Sequence, residues 1–342
     1  MNSSERVNAA IHFKPVDKAP LQYNYTAVGY YEHGDKLNQL YQSFPDDFGP
    51  FQKKAIPILR KDQLDEKGHY HEFKKDEWGT LWEYRIYGVA GIPYEYPLQD
   101  MSKVKDYLVP EHPAIGSDEF KADKLEAIEH KKHYYLSRSA GTLIEKLKAL
   151  SPDEDVYCDM AEGTKEINLL SDMIMGYYEK RIQYLLALDV DGFYFGDDYG
   201  TEKNMLISPA LWRSFFKPRW DKLFEPIRQA GKNIHFHSCG YVLPILEDLK
   251  ELGVHSIWPQ LPAYDMVEFA KYCRSLKLAV AIHTDRANVL TFGTPQQVKD
   301  LVKREYDVFR MGEGGSWFYV EADNGFPFEN MEAMVQTIAE YR

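Results

Sequence analysis

The chain has 342 residues, 44% of them hydrophobic and 14% aromatic, which is enough to build a large core and excludes a disordered protein. Lys and Arg number 41 against 53 Asp and Glu, a formal net charge of −12 whose field repels a phosphate backbone and argues against a nucleic-acid partner. Three cysteines are too few for a disulfide framework and read as thiols of a reducing, cytoplasmic compartment; no apolar run approaches the ~20 residues that span a bilayer, and MNSSERVNAAIH is not expected to act as a secretion signal.

In chain order, Leu21 to Tyr25 predicts a first strand after a helix-like start, and WEYRIYGVAG from Trp82 has the alternation of a hairpin arm. Residues from about Met101 to Lys132 are polar and strongly charged and read as surface helices and loops. HYYLSRSA from His133 supplies the next strand, followed by a helix over Thr142 to Leu150. Beyond it the alternation becomes regular. Val190 to Gly196, Asn233 to Cys239, His255 to Gln260, Leu278 to Thr284 and Ser316 to Ala322 are short, apolar and rich in β-branched or aromatic residues, as strands are. Helical spacing fills Pro209 to Ala230, Val242 to Leu252, Met266 to Leu276 and Pro295 to Arg310, with Ser208 and Thr294 as capping residues ahead of prolines. Strand and helix in repetition require a parallel sheet. Nothing resembling a linker or repeat divides the sequence, so one domain over residues 1–342 is expected, with helical and hairpin additions in about 1–132.

Polar residues recur at the carboxyl ends of these strands: Asp197 and Asp198, His237 and Cys239, Gln260, Asp285, then Glu321 and Asp323. A closed barrel gathers all such ends over one pocket, whereas an open sheet brings only two or three to one crevice. The expected fold is therefore α/β, a (β/α)8 TIM barrel with N-terminal elaborations.

HFHSCG, from His235, is the sharpest local feature. Side chains two apart on a strand share a face, so His237 and Cys239 project to one point, and imidazole with thiolate suits zinc. A packed histidine beside a buried thiol is the plain alternative. His235 sits one step deeper and is expected to be structural. Asp197 or Asp198 would orient a substrate hydroxyl, protonate a departing oxygen or support a zinc-bound imidazole; either is as well suited to capping the next loop. Asp285 and Gln260 are weaker cases of the same argument. His283, two residues before Asp285 on the same face, is a candidate proton donor or a structural histidine. Asp197, His283 and Asp285 are thus the catalytic candidates, Asp198 and Gln260 the cofactor-binding ones, and Trp258 one of several aromatics available to wall the pocket.

The stretch from Gly196 through HFHSCG to Val254, the WPQ at Trp258, the segment from Asp285 to Pro295, PFEN near the end and DEWGTLW from Asp76 together resemble the uroporphyrinogen decarboxylase superfamily, in its corrinoid-dependent zinc methyltransferase branch. The likeness covers most of the chain. It implies Zn2+ held by His237 and Cys239, and cobalamin carried by a separate corrinoid protein, since this chain has no D-x-H-x-x-G sequence. In thiol-methylating members a late cysteine completes the metal site. Here no cysteine follows Cys273, and YVEAD stands at the corresponding place, which makes Glu321 the candidate third ligand and Asp323 its substitute. A carboxylate hardens the metal toward oxygen substrates. The resemblance therefore implies methyl transfer from an aromatic methyl ether to cob(I)alamin.

Three other readings share the same residues. A methylcobalamin:thiol methyltransferase of the coenzyme M type differs chiefly in the acceptor. The decarboxylase itself needs arginine clamps for a polycarboxylate, and NYTAVGYYEHGDK from Asn24 contains none. Asp197 and Glu321 would also serve as the carboxyl pair of a glycoside hydrolase.

Overall fold

The computed structural model of the protein describes residues 1–342. Seven parallel strands form one curled sheet: β1 (Leu21–Asn24), β5 (Ser137–Gly141), β6 (Gly192–Gly196), β7 (Asn233–Ser238), β8 (Ser256–Pro259), β9 (Ala279–His283) and β10 (Ser316–Glu321). Between β1 and β5 the chain makes a separate antiparallel meander of β2 (Glu72–Lys75), β3 (Leu81–Tyr84) and β4 (Ile92–Glu95). The large sheet runs β1-β10-β9-β8-β7-β6-β5, each neighbour parallel, with helices returning the chain between strands. This is the expected α/β, TIM-barrel-like architecture, with the strands from β6 to β10 buried on both faces. None of the helices is long and apolar enough to cross a membrane.

Seven strands are assigned where eight were expected. The missing position lies between β1 and β5, and residues 46–48 fill it without forming a ladder. The amides of Leu21 and Tyr23, which point away from β10, donate to the carboxylates of Asp47 and Asp46 at 3.0 Å each, and Asp47 N donates to Leu21 O at 2.8 Å. Phe48 continues across the gap and packs edge-on against Tyr135, just ahead of β5, at 5.8 Å. Asp47 is itself held by Arg6 at 2.6 Å and Arg342 at 2.5 Å, all three side chains being buried. On the far side of the seam, the carbonyls of Tyr135, Ser137 and Ser139 face away from β6 and accept from His130, Arg138 and Arg181 at 3.3, 3.3 and 3.2 Å. Side chains thus stand in for a strand ladder on both edges.

The expected hairpin arm becomes the middle strand of the meander. Its following loop rests on the helix Ala27–His33: Gly88 has φ +75°, and a Cβ there would meet Val28 N at 2.3 Å. Since that helix directly follows β1, the meander flanks the barrel's carboxyl end. The single helix expected over Pro209 to Ala230 is two, Pro209–Phe215 and Lys217–Gln229, broken where Pro218 cannot continue the hydrogen-bond ladder.

Burial raises three of the buried carboxyls in this framework, Asp46 and Asp197 to about 7 and Glu305 to about 8. Glu305 accepts from Thr284 Oγ1 at 2.7 Å, just beyond β9. The folded chain keeps protons that the unfolded chain releases. Their contribution is complete below the ordinary carboxyl range and is lost as pH rises through about 7 to 8. The melting temperature is therefore expected to fall from about pH 5 to about pH 8, and less steeply in Glu305→Gln, which keeps an acceptor for Thr284. Equal slopes in variant and wild type would remove Glu305 from this account.

Candidate metal and substrate site

Strand alternation decides what enters the barrel mouth. On β7, Ile234 and Phe236 point to the helices, while His235 and His237 point inward. His235 is held deep in the barrel by Tyr135 and Ser256, as expected of a structural group. In the register, His237 pairs with Gly196 of β6 and Trp258 of β8. The missing side chain at Gly196 leaves room beside the imidazole.

His237 Nδ1 lies 2.9 Å from the carbonyl of Trp258, which can only accept, so Nδ1 carries the proton and Nε2 faces the mouth. Cys239 Sγ is 3.4 Å from Nε2 and Asp198 Oδ1 is 3.3 Å from it. One ligand atom from each of Asp198, His237 and Cys239 lies within 4.8 Å of the others. Hydrogen bonds and close packing pin the loop carrying them. Asp198 Oδ1 accepts from Cys239 N at 2.8 Å, Gln260 Oε1 from Gly240 N at 3.0 Å, and Gly240, at φ +72°, approaches Gly200 so closely that any Cβ would strike its backbone. Burial pulls His237 down, but Asp198 and Cys239 outweigh it and push the imidazole to about 9. Burial raises Asp198, yet His237 and the Cys239 amide hold it at about 2. Carboxylate, imidazole and thiolate at this spacing are a zinc-compatible donor set.

A cavity of about 250 Å³ opens beside the three, bounded by Trp258, Gln260, His283 and Arg286. The Trp258 and His237 ring centroids are 4.1 Å apart. Pro259, Leu261 and Pro262 add an apolar margin.

The other sequence candidates fall elsewhere. Asp197 lies outside the cavity: it is fully buried on the helix side, accepting from Leu143 N at 2.8 Å, Tyr199 OH at 2.7 Å and the Thr142 hydroxyl, so it caps the turn into the helix Ile144–Leu150. That also removes the Asp197 and Glu321 pair proposed for glycoside hydrolysis. Asp285 also lies outside the cavity, where its carboxylate accepts from the amides of Ala287 and Asn288 at 3.0 Å each. Glu321 stands apart from the metal-compatible group. Asn24 at 2.9 Å, Tyr319 at 3.2 Å and Arg286 at 3.4 Å hold it, while Asp323 pairs with Arg286 at 3.1 Å. His283 does line the cavity, but burial lowers it to about 3; a neutral imidazole donates a hydrogen bond and is a poor acid. Sequence reasoning passed over Arg286, which stands three residues past His283.

Fold and site together define a parallel α/β barrel with an Asp-His-Cys cluster at its mouth. Over 100% of this chain and 99% of the other, the structure is similar to that of a methyltransferase from Methanosarcina mazei, with a TM-score of 0.66 at 14% sequence identity. A mandelate racemase/muconate lactonizing protein from Geobacillus sp. Y412MC10 covers 79% of this chain and 69% of its own at 13% identity, but its TM-score is only 0.27. No protein-family model matches the chain, and no curated protein matches it in sequence.

Proposed function

We propose that the protein is a zinc-dependent methyltransferase that moves the methyl group of an aromatic methyl ether to cob(I)alamin carried by a separate corrinoid protein. The observation that carries this reading is the Asp198, His237 and Cys239 cluster, whose imidazole nitrogen is directed outward by the Trp258 carbonyl. The sequence likeness to the corrinoid-dependent branch and the barrel shared with a methyltransferase support it. Asp198 takes the place in the ligand set that Glu321 was expected to hold. The consequence is the same, because a carboxylate favours an oxygen substrate over a thiol.

Bound there, zinc would supply a Lewis acid for the departing ether oxygen, and the corrinoid would supply the nucleophile that takes the methyl carbon. The chain's own residues do the rest. Asp198 and Gln260 pin the loop that carries Cys239. Trp258 gives the aromatic ring a flat wall next to the reacting oxygen. The C–O bond breaks with its electron pair on oxygen, so a phenolate leaves and no proton from Asp197 is required. A cavity of about 250 Å³ suits one substituted ring and not a corrin macrocycle, which has to stay at the rim on its carrier.

The test is to mix zinc-loaded protein, cob(I)alamin and a panel of methoxyarenes. Methylcobalamin and the matching phenol are the expected products. Methylation of a thiol from methylcobalamin, with no ether cleaved, would replace this reading by the thiol methyltransferase.

A further inference from the structure

The metal-compatible cluster takes up the cavity wall formed by the ends of β6 and β7. The rest of the wall, from the ends of β8 and β9, has a different character: every polar side chain on it offers an unengaged donor. Gln260 uses its carbonyl oxygen on Gly240 N, which turns its amide nitrogen the other way, and that nitrogen makes no hydrogen bond within the chain. His283 has a side chain only 8% exposed, and its Nε2 is buried with no hydrogen-bond partner; Glu321 Oε1, at 3.7 Å, is too far to serve. Arg286 makes both of its carboxylate contacts, to Glu321 and Asp323, through Nη1 alone. Its Nε and Nη2 edge is free, and its side chain is 48% exposed at the rim of the same cavity.

A buried donor without a partner is costly, and three unspent donor groups around one cavity call for an acceptor-rich ligand group. The free Arg286 edge presents two parallel N–H groups, the geometry that matches a carboxylate. Glu321 and Asp323 hold the guanidinium by its other nitrogen and orient this edge. They also add two negative charges to the arginine's one, so attraction of an anion by net charge is not the driving term. Directed hydrogen bonds are, and the flanking carboxylates work against affinity.

We propose that Gln260, His283 and Arg286 form a carboxylate subsite, so that the methyl donor is a methoxylated aromatic acid whose carboxylate lies on the β8 and β9 side while its ether oxygen lies against Asp198, His237 and Cys239. The proposal rests on the methyl-transfer reading for the identity of the donor. The subsite itself is independent of that reaction.

Binding separates the two. Titration calorimetry of zinc-loaded protein with benzoate and with phenol, neither of which carries a methyl group to transfer, reads the subsite alone. Benzoate is expected to bind more tightly than phenol. Arg286→Met weakens benzoate about 10- to 100-fold and leaves phenol unchanged, as expected for loss of a charge-assisted paired contact. Arg286→Lys, which keeps the charge and loses the fork, recovers only part of that affinity. Asp323→Asn tightens benzoate, because it removes an opposing charge at the rim. In the transfer assay, KM for 4-methoxybenzoate rises in Arg286→Met while that for methoxybenzene does not. Equal binding of benzoate and phenol by the wild type, or an Arg286→Met loss common to both ligands, would overturn the subsite. Selective benzoate binding without transfer from any ether would instead retain the subsite and overturn the methyl-transfer reading.

Discussion

Cys239→Ala is expected to lose stoichiometric zinc and to slow methyl transfer by at least about 10²- to 10³-fold, the loss of a Lewis acid worth several kcal/mol in the transition state. Cys239 Sγ and His237 Nε2 are 3.4 Å apart, so removing the thiolate leaves imidazole and carboxylate alone to hold the ion. Asp198→Asn tests the third position. It keeps an acceptor for Cys239 N but removes the charge, and metal affinity should fall by at least the 10- to 100-fold seen when an outer-sphere partner is lost. Glu321→Gln, by contrast, should retain zinc. Metal analysis of the three variants decides the ligand set, and full zinc in Asp198→Asn together with loss in Glu321→Gln would restore the ligand set expected from the sequence.

The second large effect lies at the barrel seam. Asp47 joins Leu21 N, Arg6 and Arg342, and all of these charges are buried. Asp47→Ala leaves two guanidinium groups without that counter-charge and an amide without its acceptor, so a destabilisation of about 3–5 kcal/mol is expected. Asp17 still binds Arg6 at 2.8 Å, which moderates the loss on that side. Urea unfolding of Asp47→Ala and of the double variant with Arg342→Met measures it. A shift below about 1 kcal/mol would mean that the seam is closed by the packing of Phe48 and not by these charges.

The zinc-compatible pair was legible because a strand has period two: His237 and Cys239 had to share a face once HFHSC was read as a strand. The same rule, carried one strand back, separates the two aspartates. Phe193, Phe195 and Asp197 alternate on the outward face, while Tyr194, Gly196 and Asp198 lie on the inward one, so Asp198 belongs at the mouth and Asp197 in the helix layer. That signal was present in GFYFGDD and went unused. Asp285 was not legible in this way: past the end of β6, Asp197 N still bonds His237 O and the alternation continues, whereas past β9 the chain turns at once and Asp285 accepts from Ala287 N and Asn288 N. Glu321 does point inward, but its neighbours Asn24 and Arg286 come from other strand ends, and one strand's pattern says nothing about which partner reaches a carboxylate first. The eighth barrel position was hidden because SFPDDFG has neither alternation nor β-branched residues; its contribution is made by carboxylate side chains. The helix Lys165–Leu188 buries Ile167, Leu170, Ile174, Tyr178, Ile182 and Leu185 along one stripe, but no element was expected between Leu150 and Val190.

An incompletely hydrogen-bonded barrel has two exposed strand edges, and bare edges recruit strands from other molecules. Here neither edge is bare. The outward amides of β1 are taken by Asp46 and Asp47, and the outward carbonyls of β5 by His130, Arg138 and Arg181. A register shift between Ser139 and Gly141 also distorts β5, where Arg138 adds a charged side chain. The side chains that complete the fold at the seam therefore also keep it from growing into a neighbour, and Arg138 and Arg181 are the positions at which a neutral substitution would turn this edge into a template for self-association.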